Sequence, residues 1–222
     1  VTVTVAEVKT NLTSTDYGLR LRGVNQLRQL EPALAFELLQ TAVADSNARV
    51  RYAAVSQMAS LGQQNRSLSL EILRDCVRND PELDVKAVAA DALGGLGLAE
   101  AYEDLATLYQ AHPDWILRLS VLAALGELGE PRAYDLLIDA LNAPEELLKL
   151  AAIGSLGDLG DIRAVPILAP FASNPDWQVR QRVAQALYRL GGEAAQPLLA
   201  TLAQDPMQQV AAAATGAGLE FA

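Results

Sequence analysis

Apolar residues along this chain recur at helical spacing, and the same phrase keeps returning. In residues 113–129, PDWILRLSVLAALGELG, the side chains of Leu117, Val121, Leu125 and Leu128 fall on one face of a helix. Pro113 and Asp114 open that helix and Gly129 closes it. The phrase returns at 144–160 and at 175–191, and Pro113, Pro144, Pro175 and Pro206 stand 31 residues apart. A fixed period of this length predicts an array of stacked helical hairpins.

Aligned on the first aliphatic residue of each face, the copies begin at Leu19, Val50, Val85, Leu117, Leu148, Val179 and Val210. The next residue is basic in Arg20, Arg51, Lys86, Arg118, Lys149 and Arg180. Eleven residues after each of the first six anchors stands Leu30, Leu61, Leu96, Leu128, Leu159 or Leu190. Gly62, Gly97, Gly129, Gly160 and Gly191 follow five of these leucines, which suits a left-handed helix end. Segments 4–13, 33–44, 66–78, 99–111, 131–142, 162–173 and 193–204 have helical spacing too, so each repeat reads as helix A, a turn, helix B and a stop. Asp80, Asn174 and Asp205, each before a proline, are expected to be N-caps with proline at the first helical position. Pro166 and Pro170 should bend or break one A helix, and QQNRS at 63–67 lengthens the second turn. The last copy, from Met207, has Ala211 in place of the base and ends in AAAATGAGLEFA, as a cap or a truncated repeat.

No single hairpin buries its own stripe, so the expected fold is all-α, an α-solenoid of about seven hairpins in a right-handed superhelical array. It would form one domain over 1–222, with repeats near 1–31, 32–62, 63–97, 98–129, 130–160, 161–191 and 192–222. The B helices would line its concave face.

Composition narrows the functions. Apolar residues make up 51% and aromatics only 5%, which suits close-packed helices rather than a sandwich or barrel. The net charge of −10 argues against a nucleic-acid partner, which needs clustered Lys and Arg, and against anionic membrane surfaces. No run of 18 apolar residues predicts membrane insertion. Cys76 is the single cysteine, so neither an internal disulfide nor a cysteine zinc site is expected. One thiol and an N-terminus, VTVTVAEVKT, without the marks of a signal peptide point to a cytoplasmic protein.

Chemistry-bearing residues are few. Asp16, Asn47, Glu82, Asp114, Glu145 and Asp176 stand four residues before each base of the ladder, a spacing that favours ion pairs within a helix or between repeats. An anionic ligand held by the stacked bases is the functional alternative. Positions 2, 6 and 9 after each anchor lie opposite the buried stripe. They hold Tyr52, Leu119, Leu150 and Gln181, then Asn25, Ser56, Asp91 and Gln185, then Arg28, Gly94, Gly126, Gly157 and Tyr188. The three glycines imply close approach, either of a neighbouring helix or of a flat ligand. Tyr17, Trp115 and Trp177 share the position two before the anchor and are candidate interface anchors. His112 is the one histidine, in a turn, and neither a triad nor a zinc site can be built around it. Cys76 lies on an apolar stripe and is expected to be buried and inert.

The pattern of Asp, Val or Leu, and Arg or Lys, followed by Ala, Leu and Leu-Gly, resembles HEAT repeats of the short phycobilin-lyase type, whose members include E and F lyase subunits. RLRGVNQLRQLEPALAFELL at 20–39 and RVRYAAVSQMASLG at 49–62 are similar to the phycobilisome-degradation branch of that family. The resemblance implies a phycobiliprotein or another protein as partner, with the open-chain tetrapyrrole phycocyanobilin as ligand and no tightly bound cofactor. Phycobilisomes at the thylakoid surface would be the setting. A bilin lyase subunit acting with a partner chain and a general adaptor without pigment are the competing readings. The implied binding residues are Asn25, Arg28, Tyr52, Ser56, Asp91, Trp115, Leu119, Glu127, Trp177, Gln181, Gln185 and Tyr188, with Leu119, Leu122, Leu150, Gly126 and Gly157 as an apolar bed for the pigment.

Overall fold

The computed structural model describes residues 3–217, and every regular element among them is a helix. The helices are α1 Val5–Leu12, α2 Tyr17–Gln26, α3 Pro32–Val43, α4 Ala48–Leu61, α5 Arg66–Asn79, α6 Leu83–Gly95, α7 Tyr102–Ala111, α8 Trp115–Glu127, α9 Ala133–Ala140, α10 Glu146–Leu159, α11 Ala164–Leu168, α12 Trp177–Leu190, α13 Gly192–Leu202 and α14 Gln208–Ala214. Odd numbers are A helices and even numbers B helices, as the period predicts. The residues form two compact units, Val1–Leu108 and Tyr109–Ala222, each a solenoid of helical hairpins. The final residues of the expected C-terminal cap, 218–222, lie outside the described residues.

The B-helix anchors make the core. Val50, Val85, Leu117, Leu148, Val179 and Val210 are buried, together with Val55, Leu93, Leu125, Leu156 and Leu187 further along the same helices. Leu19 departs from the pattern and is 41% exposed. It lies on α2, in the first hairpin. Gly97, Gly129, Gly160 and Gly191 have positive φ, as expected of helix stops. Gly62 does not. It keeps a right-handed conformation because the chain runs on through a 3₁₀ turn, Gly62–Asn65, into α5. Pro166 and Pro170 shorten α11 to 5 residues, followed by a 3₁₀ segment, Ala169–Ser173.

The capping residues need correction. Asp80, Asn174 and Asp205 are not N-caps. Each carboxylate or amide oxygen accepts from the backbone N–H two residues on, at 2.8–2.9 Å, which forms a turn ahead of the helix. The N-caps are the following Glu82, Asp176 and Met207, so the prolines sit in the connections. Asp16, Asn47, Asp114 and Asp176 cap their own helices by accepting from first-turn N–H groups.

The acids thus engaged as caps are not the partners of the basic ladder. Arg20 reaches into the next repeat and donates to both oxygens of Asp45, at 2.6 and 2.9 Å. Arg51 does the same to Asp80 at 2.7 and 2.9 Å, and Arg180 to Asp205 at 2.6 and 3.0 Å. In each case Nη1 also donates to the carbonyl six residues back, closing the turn before the helix. These are bidentate pairs of the strong kind. At the equivalent place His112, Ala143 and Asn174 replace the aspartate, and the preceding bases turn elsewhere. Lys86 donates to the carbonyls of Val77 and Arg78, capping α5. Lys149 pairs with Glu146 at 2.7 Å. Arg118 stacks on the buried Tyr109 ring, 4.2 Å from its centroid, and its Nε has no hydrogen bond.

Candidate functional site

The glycine column at position 9 is closed to any ligand. A Cβ on Gly126 would lie 2.7 Å from Cα of Ser155, and one on Gly157 would lie 2.7 Å from Cα of Ala186. These glycines let α8, α10 and α12 pack backbone to backbone. Leu122 is fully buried as well, so the apolar bed expected from Leu119, Leu122, Leu150, Gly126 and Gly157 does not exist as a surface. Only Leu119 and Leu150 retain partial exposure. An i,i+9 pattern cannot say whether a glycine faces solvent or the next repeat.

The remaining candidates do face outward, on separate stretches. In the first unit Asn25, Arg28 and Asp91 are exposed and Ser56 half-buried. Tyr52 is 46% exposed and lines a groove of about 250 Å³ with Arg49, Glu82, Asp84 and Val85. In the second unit Gln181 and Gln185 share a groove of about 370 Å³ with Leu147, Leu150, Gln178 and Arg182. Tyr188 lines another of about 310 Å³ with Leu199 and Ala200. Within the second unit Gln181 and Gln185 thus share one groove and Tyr188 lines another.

A row of apolar side chains lies at the entrances of the B helices. Trp115 and Ile116, on the first turn of α8, are exposed, and Leu147, on the first turn of α10, is too. Trp177 opens α12 and is half-buried. In the first unit Tyr17 and Leu83 open α2 and α6 in the same exposed manner, and Tyr52 is exposed one turn into α4. Sequence reading found Trp115, Trp177, Tyr17 and Tyr52. It missed Ile116, Leu147 and Arg182, although Ile116, Leu147 and Gln178 share one position of the 31-residue frame.

The thiol of Cys76 is held in its neutral form. Cys76 is 6% exposed, and burial, with Asp80 and Asp75 nearby, pushes its thiol up to about 11. Such a thiol is scarcely ionised near neutral pH and is a poor nucleophile. It lines a groove of about 570 Å³ on the A-helix side, between α3 and α5. Glu127, the last residue of α8, has its carboxyl raised by burial and by Asp158. The Asp158 carboxyl is raised by burial against the pull of Arg189 and Arg182. His112 is half-buried in its turn. Among the described residues no cluster of His, Cys, Asp and Glu could hold a metal ion, and no helix is long and apolar enough to cross a membrane.

A family model described as HEAT repeats matches residues 6–94, 70–148 and 135–219. A search of curated proteins found no match. Among solved structures the chain is similar to one from the complex of CpcE and CpcF of phycocyanin lyase from Nostoc sp. PCC7120, with a TM-score of 0.65 and 22% identity over 85% of this chain and 76% of that one. It is similar to YibA of Escherichia coli, with a TM-score of 0.65 and 19% identity over 96% and 81% of the two chains. An engineered protein gives 0.62 and 18%, over 96% of this chain and 66% of the other. At these identities the likeness is one of fold.

Proposed function

The chain belongs to the HEAT-repeat family, and on that premise we propose that it is a binding protein for a phycobiliprotein, acting in turnover of the phycobilisome antenna. The observation that carries this reading is the row of Trp115, Ile116 and Leu147, large apolar side chains held out at consecutive B-helix entrances. Fully covering one such side chain contributes about 1.5–3 kcal/mol, and exposed Trp is a preferred interface anchor. Charge on a pigment protein would be met by the polar groups beside the row. The likeness to a chain of the CpcE–CpcF complex, and of residues 20–39 and 49–62 to the degradation branch, supports the pigment protein as partner. The bilin itself, phycocyanobilin, would be a ligand carried by that partner rather than a resident cofactor. The setting would be the cytoplasm, at phycobilisomes on the thylakoid surface.

A second reading, a bilin lyase subunit acting with a partner chain, is favoured by the likeness to one member of a two-protein complex. In that reading the reacting thiol belongs to the phycobiliprotein, since Cys76 is buried and its thiol raised. One experiment separates the readings. The purified chain is mixed with phycocyanin, and separately with phycocyanobilin and apo-phycocyanin, with and without candidate partner chains. Retention of phycocyanin without bilin transfer supports the binding protein, and transfer that needs a partner chain supports the lyase subunit. Retention of neither protein nor bilin removes both.

A further inference from the structure

The joint between α3 and α5 lacks the side chains that close the next one. Between α5 and α7, Arg74 and Arg78 of α5 both donate through Nε to the carboxylate of Asp104 on α7, Arg74 at 2.7 Å, and Asp104 is buried. Aligned on the fully buried Leu39, Leu73 and Leu105, Gln40 and Ala44 of α3 stand where Arg74 and Arg78 stand on α5, and Ile72 stands where Asp104 stands on α7. Gln40, Ala44 and Ile72 all line the groove of about 570 Å³ between α3 and α5. The groove therefore lies where two arginine side chains and their acid fill the sister joint.

The other residues of the groove select its occupant. Leu68 and Ile72 are half-buried along it, and Glu71 and Asp75 are exposed at its edge. Among the described residues Glu71 has no hydrogen bond or ion pair, and Asp75 accepts only from Asn79, at 2.7 Å. Glu71 and Asp75 stand four residues apart, about 6 Å along α5. Arg74 and Arg78, which close the sister joint from a neighbouring helix, have the same spacing. A long basic side chain lays its aliphatic stem on apolar surface and keeps its charged head within reach of a carboxylate. The groove offers apolar ground for two such stems and one acid for each head, while α3 supplies no cation. An apolar segment laid here would cover both carboxylates without pairing them, and an acidic one would be repelled.

We infer that this groove binds a helix of a protein partner that carries two basic side chains four residues apart, their stems on Leu68 and Ile72 and their heads on Glu71 and Asp75. The inference lies within the first unit and does not rest on the phycobiliprotein reading. The test titrates the full chain into the fluorescein-labelled peptide (Ala-Ala-Arg-Ala)₃-amide, followed by fluorescence anisotropy. Saturable binding is expected, at least tenfold weaker for the same peptide with citrulline, the neutral isostere, in place of arginine. Gln40→Arg/Ala44→Arg supplies the missing cations from α3 itself and should weaken binding at least tenfold without lowering the melting temperature. Glu71→Lys/Asp75→Lys should lose the arginine peptide to the same extent and bind (Ala-Ala-Glu-Ala)₃-amide instead, which the wild type does not hold. Both variants leave the chain acidic, so a non-specific attraction between chain and peptide would survive them. Absence of saturation by the wild type, equal binding of the citrulline peptide, or undiminished binding by either variant would overturn the assignment.

Discussion

Neighbouring repeats are joined in two different ways within this chain. In the first unit the joints are charged and polar. Arg20 holds Asp45, Arg51 holds Asp80, and the buried Gln57 donates to the Val24 carbonyl at 2.8 Å. From α8 to α12 the closest joints are steric, with the Arg189–Asp158 pair added between α10 and α12. Gly126 and Gly157 bring backbones together, while Ala143 stands where a rung would need Asp and Arg118 rests on Tyr109. The Arg–Asp rung resumes only at Arg180 and Asp205. A bidentate pair fixes the register of adjacent hairpins by direction as well as distance, whereas a glycine contact fixes only how close they come. Exposed apolar side chains occur in both stretches, Trp115, Ile116 and Leu147 in the steric one and Tyr17, Tyr52 and Leu83 in the charged one.

The comparison breaks most visibly at a rung. Asp80→Ala leaves Arg51, whose side chain is 12% exposed, without its partner. A cost of about 2–3 kcal/mol in urea unfolding is expected, between the values for surface and buried pairs. A loss under about 0.5 kcal/mol would show that the rung is ornamental. Next comes the steric joint. Gly157→Ala gains about 1 kcal/mol of helix propensity but drives a methyl to 2.7 Å from Ala186 Cα. Overpacking of this kind outweighs the gain, for a net loss of about 1–2 kcal/mol.

Ala143→Asp sharpens the comparison by rebuilding the missing rung. If Arg118 leaves Tyr109 for the new carboxylate, stability should rise by up to about 1 kcal/mol, or about 2–4 °C in melting temperature. No gain would mean that stacking on Tyr109 already satisfies the arginine. The smallest effect is in pH. Arg20 and Arg180 hold the Asp45 and Asp205 carboxyls below the usual range, so the stability they confer is present above the unfolded carboxylate value and lost as pH falls through the folded one. Glu127 and Asp158 are raised, by burial first, so their contribution is full below the unfolded value and lost as pH rises through the folded one. Melting temperature should therefore climb on mild acidification from neutrality and fall in stronger acid. Glu127→Gln should flatten the climb and leave the acid limb alone.

Most of the fold is legible in the sequence, because a 31-residue period states the same hairpin repeatedly. Helix stops at Gly97, Gly129, Gly160 and Gly191 and the break at Pro166 and Pro170 follow from local backbone chemistry. What spans repeats is harder to read. Asp80 and Asp205 look like caps because their local spacing is that of caps, and their role as partners of Arg51 and Arg180 depends on how adjacent hairpins are stacked. Gly126 and Gly157 announce a close approach in the sequence, and the stacking of hairpins decides that it is by a neighbouring helix. The outward positions of Tyr52, Trp115, Gln181, Gln185 and Tyr188 were recoverable from helical angle alone, but their dispersal over separate grooves was not.

The most direct test is an equilibrium titration of purified phycocyanin onto the immobilised chain and its Trp115→Ala and Leu147→Asp variants, with a melting curve for each. Saturable binding by the wild type, weakened at least tenfold in both variants at unchanged melting temperature, is the predicted result. Absence of saturable binding by the wild type, or equal binding by all three, would contradict the account.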